Sequence, residues 1–156
     1  MIEIHKANIK KDVKLLYCLE KAIFPRDYDN LKRKWPQYPE TYILFVKKKP
    51  VGYVIVQPHR GLYNYKTGKY EIKSGSLHVS ATGILPKFRG KGLGDVLKTW
   101  TIAYARVGSF KSINATARES NKPIIRLNKK FGFKVTRKIK KFYPDGETAL
   151  VEELFF

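Results

Sequence analysis

The sequence predicts an α/β fold of the α+β kind: a mixed, mostly antiparallel sheet of about seven strands with helices on both faces. Two observations lead there. Short apolar or alternating runs are interrupted by segments of helical periodicity, in the order strand, helices, three strands, helix, strand, helix, two strands. Hairpin turns and longer crossovers are mixed along the chain, which a sheet with both antiparallel and parallel pairs requires. At 156 residues, 43% of them hydrophobic, the chain can bury a sizeable core but has little room for a second one, so residues 1–156 are read as one domain.

Ile2–Ile4 is the first short strand. Asn8 is placed to cap the following helix, in which Val13, Leu16, Leu19 and Ile23 recur at helical spacing. Phe24-Pro25 ends it, because proline disfavours helical geometry in the residue before it. Asp27 to Lys34 is read as a second, short helix. Tyr42–Val46 and Val51–Val56 form a hairpin around the polar turn Lys47-Lys48-Lys49-Pro50. Pro58 to Gly75 is rich in tyrosine, glycine and lysine without clear period, and is read as a long connection of the kind that often carries function. Ser76–Leu85 is the next strand, and Gly83 within it signals a bulge or the close approach of another group. A helix then runs from Leu93 to Gly108 with Leu93, Val96, Leu97, Trp100 and Tyr104 on one face. Ser112–Ala117 is a strand. Asn121 and Pro123 open the next helix, with Ile124, Leu127 and Phe131 as its buried face and Gly132 as its stop. Val135–Tyr143 and Thr148–Phe155 close the chain as a hairpin around Pro144-Asp145-Gly146.

A formal net charge of +19 attracts anions: phosphorylated cofactors, acidic peptides or proteins, nucleic acid. Lysine enrichment also marks heat-adapted surfaces, and these lysines are spread along the whole chain. No stretch approaches the ~20 apolar residues that cross a bilayer, and the first residues lack the apolar core of a signal peptide. The expectation is a soluble, cytoplasmic protein without membrane association, a monomer or homodimer. Cys18 is the only cysteine, so no internal disulfide or thiolate metal cluster forms. Its neighbours Leu15, Leu16, Tyr17 and Leu19 predict a buried thiol. No ligand cluster for a metal is visible.

The most informative segment is Gly83-Ile84-Leu85-Pro86-Lys87-Phe88-Arg89-Gly90-Lys91-Gly92-Leu93-Gly94. A strand feeds a glycine-rich turn that opens directly into a helix. The first N–H groups of a helix lack internal partners and its dipole there favours negative charge. Glycines let backbone approach a phosphate without an intervening Cβ, and Arg89 and Lys91 add positive charge. The spacing fits neither the dinucleotide-binding fingerprint nor the P-loop.

Arg89-x-x-Gly92-x-Gly94 matches the pyrophosphate signature of the GNAT acetyltransferases, and Ile84-x-Pro86 before it resembles the same family. Downstream, Asn121-x-x-Ile124-x-x-Leu127-Asn128-Lys129-Lys130-Phe131-Gly132-Phe133 is similar to the family's Asn-x-x-Ala-x-x-Leu-Tyr-Glu-Lys-Leu-Gly-Phe. The resemblance implies the GNAT fold, acetyl-CoA as cosubstrate and an amine as acceptor. It implies that backbone atoms of Thr82, Gly83, Ile84 and Leu85 pair with pantetheine. Arg89, Gly90, Lys91, Gly92, Leu93 and Gly94 would hold the pyrophosphate, with Asn121, Asn128 and Lys130 also on the cofactor. Asn121 equally suits a helix N-cap, and the two roles can coexist.

Leu19-Glu20-x-x-Ile23-Phe24-Pro25-x-x-Tyr28 and Phe142-Tyr143-Pro144-Asp145-Gly146-Glu147 resemble the two segments that line the peptide groove of protein Nα-terminal acetyltransferases, archaeal members included. The resemblance thus makes Phe24, Tyr28, Phe142 and Tyr143 substrate-binding and a protein N-terminus the first choice of acceptor. A lysine or small-amine acetyltransferase, or a CoA-retaining module that binds nucleic acid or an acidic partner, are the alternatives. His78 is the preferred general base, since histidine titrates in the useful range; the competing role is a structural hydrogen bond within the strand. The sequence departs from the family at Thr116, where relatives carry Glu or His, and at Asn128, where most carry the tyrosine that protonates the thiolate. Asparagine supplies no proton at neutral pH, which leaves Tyr143 or a water for that task. The positive field favours acidic acceptors.

Overall fold

A computed structural model of the chain describes residues 1–27 and 33–156. The order is β1 (Ile2–Lys6), α1 (Ile9–Ile23), β2 (Thr41–Val46), β3 (Lys49–Asn64), β4 (Lys69–Ile84), α2 (Leu93–Val107), β5 (Ser112–Arg118), α3 (Lys122–Lys130), β6 (Lys134–Ile139) and β7 (Ala149–Phe155). Single turns of 3-10 helix stand at Trp35–Gln37 and Pro86–Phe88. The strands form a seven-stranded mixed sheet in the order β1-β2-β3-β4-β5-β7-β6, as the element pattern implied. The short helix expected over Asp27–Lys34 falls largely outside the described residues; Asp27 is in a turn, and Arg33 and Lys34 are irregular. By internal contacts the chain divides into two compact units, Met1–Val56 with Ala81–Leu97, and Gln57–Ser80 with Lys98–Phe156.

In the first unit, Asn8 caps α1 as expected. Its Oδ1 accepts from the Lys11 N–H at 3.1 Å, and Asp12 Oδ2 accepts from the Asn8 N–H at 2.8 Å, a reciprocal cap. Leu16, Leu19 and Ile23 are buried, but Cys18 is exposed, which corrects the expected buried thiol: it lies one position outside the stripe that Leu16 and Leu19 define. β2 and β3 join through Lys47 and Lys48 at φ 49° and 66°, a two-residue turn tighter than the four residues expected. Trp35 is buried with the rings of Tyr17, Tyr38 and Tyr53 edge-on around it. Beside it Arg33 donates from Nε to Glu20 Oε1, and the Tyr53 hydroxyl donates to the same oxygen at 3.2 Å. Burial, with the Glu20 charge, pushes the Tyr53 hydroxyl well above its usual range. The paired ions fix the chain just after the undescribed residues onto α1. The close approach expected at Gly83 is present: a Cβ there would collide with Ile23 and press on the Phe24 ring.

The second unit holds the largest correction. Residues 58–75 are not a loose connection but the outer halves of β3 and β4, joined by the turn at 65–68. His59 and Gly75 both have left-handed φ, 59° and 80°, and the Gly75 N–H donates to His59 Nδ1 at 2.9 Å. Two such residues inside one hairpin break the two-residue alternation by which a strand is recognised. The buried face of α2 is also rotated from the expected one. Leu93, Leu97, Lys98, Thr101 and Ala105 are buried, whereas Val96, Trp100 and Tyr104 are half-buried. Its end is set by Ser109 at φ 58° rather than by Gly108, with the Phe110 N–H bonded to the Ala105 C=O. On α3, Asn128 is the buried residue, while Ile124, Leu127 and Phe131 are half-buried. The last hairpin stands with shorter strands and a longer loop, 140–148.

Candidate active site

The glycine loop lies in the first unit, where β4 ends and α2 begins. Leu85 anchors the junction with both backbone groups: its N–H donates to the Val51 C=O at 2.8 Å, and its C=O accepts from the Phe88 N–H at 2.9 Å. The Leu85 N–H and C=O are thereby both used within the fold. Arg89 is also engaged inward. Its Nε donates to the Ile84 C=O at 2.9 Å and its Nη2 to the Ile23 C=O at 3.3 Å. The expected free positive charge at this position is therefore a staple between the strand end, the end of α1 and the loop.

Gly90 and Gly92 adopt φ 76° and 80°. A residue with a Cβ is disfavoured there by roughly 1–2 kcal/mol. Among the described residues nothing lies within 4 Å of a Cβ built at either position, so glycine serves the backbone conformation and the space over the loop is open. Left-handed residues on both sides of Lys91 turn successive N–H groups into a concavity of the kind that holds anions. The Val96 N–H bonded to the Gly92 C=O at 3.2 Å starts α2, and Leu93, buried, pins that start. The amides of the first helical turn, Gly94 included, have no partner within the helix. Lys91 is exposed with its Nζ 5.4 Å from the Phe88 ring centroid. The backbone donors and the open approach suit a diphosphate, which accepts hydrogen bonds and carries charge to match the dipole.

In the same unit Phe24 is half-buried at the end of α1, its ring edge-on to Tyr53 at 6.3 Å. Tyr28 lies outside the described residues.

The second unit holds His78, Phe142 and Tyr143. The parallel register of β4 with β5 runs over Ser76–Val79, and β4 continues to Ile84. His78 stands opposite Asn114, with only 3% of it exposed. Its Nδ1 is 2.6 Å from Asn114 Oδ1, and Asn114 Nδ2 donates to the Ser76 Oγ at 2.7 Å and to the Arg60 C=O at 2.9 Å. A carbonyl only accepts, so the Asn114 amide is oriented with its oxygen toward His78. Nδ1 of His78 then carries a proton, so that in the neutral form of the ring the lone pair is on Nε2. Tyr70 packs edge-on to the ring at 5.3 Å.

Arg118 organises the loop 140–148. Its Nη1 donates to both carboxylate oxygens of Asp145 at 3.0 Å and to Glu147 Oε1 at 2.9 Å, and its guanidinium lies 4.1 Å from the Tyr143 ring centroid. Hydrogen bonds from Ser120, then the one from Arg118, hold the Glu147 carboxyl down at about 2, so the lock stays charged far into the acid range. Phe142 and Tyr143 are half-buried against Tyr65 of the β3–β4 turn.

Asn121 caps α3, its Oδ1 accepting from the Ile124 N–H at 3.4 Å, which leaves its Nδ2 for a ligand. Lys130 is exposed beside Phe131. Asn128 does not share that surface: it is 1% exposed, its Nδ2 donates to Glu152 Oε1 at 3.3 Å, and its Oδ1 has no hydrogen-bond partner among the described residues. Near Glu152 the buried Lys98 is lowered to about 8 by burial, partly offset by the Glu152 charge, while burial raises the Glu152 carboxyl. Asn114, Arg118, Tyr63, Tyr65 and Tyr70, which contact His78 or the loop 140–148 or each other, were not singled out in the sequence; for the three tyrosines the tyrosine-rich composition of 58–75 was the one available signal. Among the described residues no cluster of three metal-ligating side chains occurs, and no helix is long and apolar enough to cross a membrane.

A strand-to-helix glycine loop shaped for a diphosphate, on a mixed sheet, defines a nucleotide-cofactor α/β domain. The profile of the Acetyltransferase (GNAT) family matches residues 11–133, and the chain belongs to that family. An N-alpha-acetyltransferase of Sulfurisphaera tokodaii is 31% identical over 109 residues, 69% of this chain and 64% of that protein, so the match spans less than two-thirds of that relative's length. An N-alpha-acetyltransferase of Sulfolobus acidocaldarius is 26% identical over 145 residues, 88% of this chain and 83% of that protein. The structure of Arabidopsis thaliana Naa50 in complex with the bisubstrate analogue CoA-Ac-MVNAL shares the fold, with a TM-score of 0.80 at 19% identity over 99% of both chains.

Proposed function

We propose that this protein is an acetyl-CoA-dependent N-acetyltransferase whose acceptor is the α-amino group of protein N-termini. The observation that carries the proposal is the loop with Gly90 and Gly92 in left-handed conformation at the start of α2. The names of the archaeal relatives, and the Phe24-Pro25-x-x-Tyr28 and Tyr143-x-Asp145-Gly146-Glu147 segments, support the choice of acceptor.

When bound, acetyl-CoA supplies an activated thioester. The Gly90–Gly94 amides hold its diphosphate, and the Thr82–Ile84 strand end orients the arm that carries the thioester. Phe24, Tyr28, Phe142 and Tyr143 receive the acceptor. As the acceptor nitrogen forms the amide bond and the C–S bond breaks, the proton lost by nitrogen goes to His78 Nε2, directly or through water. Tyr143 Oη, or a water, would supply the proton that the leaving sulfur needs, since the Asn128 amide faces Glu152.

Transfer of acetyl from acetyl-CoA to a peptide panel, with the N-terminus free or blocked, tests this reading. The expected product is acetylated at the free α-amine; acetyl found only on lysine side chains of blocked peptides contradicts it. In the same assay His78→Ala lowers the rate by about a hundredfold and removes its rise through the histidine range. An unchanged rate and profile takes His78 out of the chemistry.

A further inference from the structure

We infer that the tip of the β3–β4 hairpin is a further wall of the acceptor site, and that Tyr65 is the positioning residue that holds Phe142 and Tyr143 in place. The inference rests on the reading above that those two residues receive the acceptor.

The tip is a built turn. Asn64 Oδ1 accepts from the N–H groups of Lys66 and Thr67 at 2.8 and 3.3 Å, the Gly68 N–H donates to the Asn64 C=O at 2.8 Å, and Gly68 is left-handed at φ 70°. Tyr65 stands in that turn, with Tyr63 on β3 and Tyr70 on β4 beside it. The Tyr65 ring centroid is 5.4 Å from Phe142 and 5.9 Å from Tyr143, both within the range of edge and tilted aromatic pairs. Tyr63 lies 5.0 Å from Tyr65 and 4.8 Å from Tyr70, and Tyr70 lies 5.3 Å from His78. Rings in contact thus run from the loop 140–148 to the proposed base. The loop is also held by Arg118, whose guanidinium lies over Tyr143 and whose Nη1 donates to Asp145 and Glu147. The same hairpin supplies the Arg60 C=O that orients Asn114 and so sets the His78 tautomer. The tyrosines and Phe142 are half-buried, with surface left for an acceptor side chain, while His78 at the end of the row is buried.

Steady-state kinetics with an unblocked peptide on Tyr65→Ala, Tyr65→Phe and Tyr143→Ala tests the inference. Tyr65→Ala is expected to raise the peptide KM about tenfold, with the KM for acetyl-CoA and the thermal midpoint near wild type; Tyr65→Phe, which keeps the ring, restores the peptide KM. Should Tyr65→Ala fold poorly, Tyr65→Leu carries the same expectation. An unchanged peptide KM in Tyr65→Ala alongside a raised one in Tyr143→Ala overturns the positioning role alone. No change in either variant overturns the acceptor-wall reading with it.

Discussion

The glycine loop is built from one uninterrupted segment, with its open backbone donors in residues 90–94, whereas the ring cluster joins Tyr63, Tyr65 and Tyr70 to Phe142 and Tyr143 from a distant part of the chain. In the loop each residue's conformation is set by its own chemistry: glycine at φ 76° and 80°, a helix starting directly after. In the cluster no residue has a local conformational signature, and its arrangement exists only once the β3–β4 hairpin meets the loop 140–148. Function encoded in backbone conformation sits beside its own cause in the sequence; function encoded in packing does not.

The largest effect that would sharpen this contrast lies on the packed side. Lys98 belongs to α2 yet is 3% exposed, held near 8 by burial. Below pH 8 it is charged in both folded and unfolded chains and its desolvation cost is present in full. Between about 8 and 10.5 the folded protein releases the proton first, so stability rises with pH. Relative to Lys98→Met, the wild type should gain about 3 kcal/mol across that window, measured by denaturant unfolding; parallel curves would show that Lys98 is solvated. On the local side, Gly92→Val should weaken coenzyme A binding by about a hundredfold, from a disfavoured backbone conformation and a side chain over the amides, with little change in thermal midpoint. Calorimetric titration reads this, and an unaltered affinity would separate the loop from the cofactor. A smaller effect is expected at Arg89. Because its guanidinium donates to the Ile84 and Ile23 carbonyls, Arg89→Met should weaken coenzyme A about fivefold through a loosened loop. A loss as large as that of Gly92→Val would instead mean direct contact with phosphate.

Legibility followed the same division. The α1 cap at Asn8 and the glycine loop are local statements, legible in the sequence; the β2–β3 turn was legible in place but not in length, and Gly83 announced a close approach without naming its partners, Ile23 and Phe24. The outer halves of β3 and β4 were hidden because left-handed His59 and Gly75 interrupt the alternation. Lys98 on the buried face of α2 was hidden because its reason, Glu152, comes from β7. Asn128 read as a cofactor residue by its place in a motif, and packing turned it toward that same glutamate. His78 was legible as a strand histidine, but its tautomer was not, since that depends on Asn114 and on a carbonyl from the hairpin.

Amide resonances followed by NMR during titration with coenzyme A test the central claim most directly. The account predicts saturable shifts that are largest at Gly90, Lys91, Gly92, Leu93 and Gly94. Saturation with those five resonances unmoved, or no saturation at all, would contradict it.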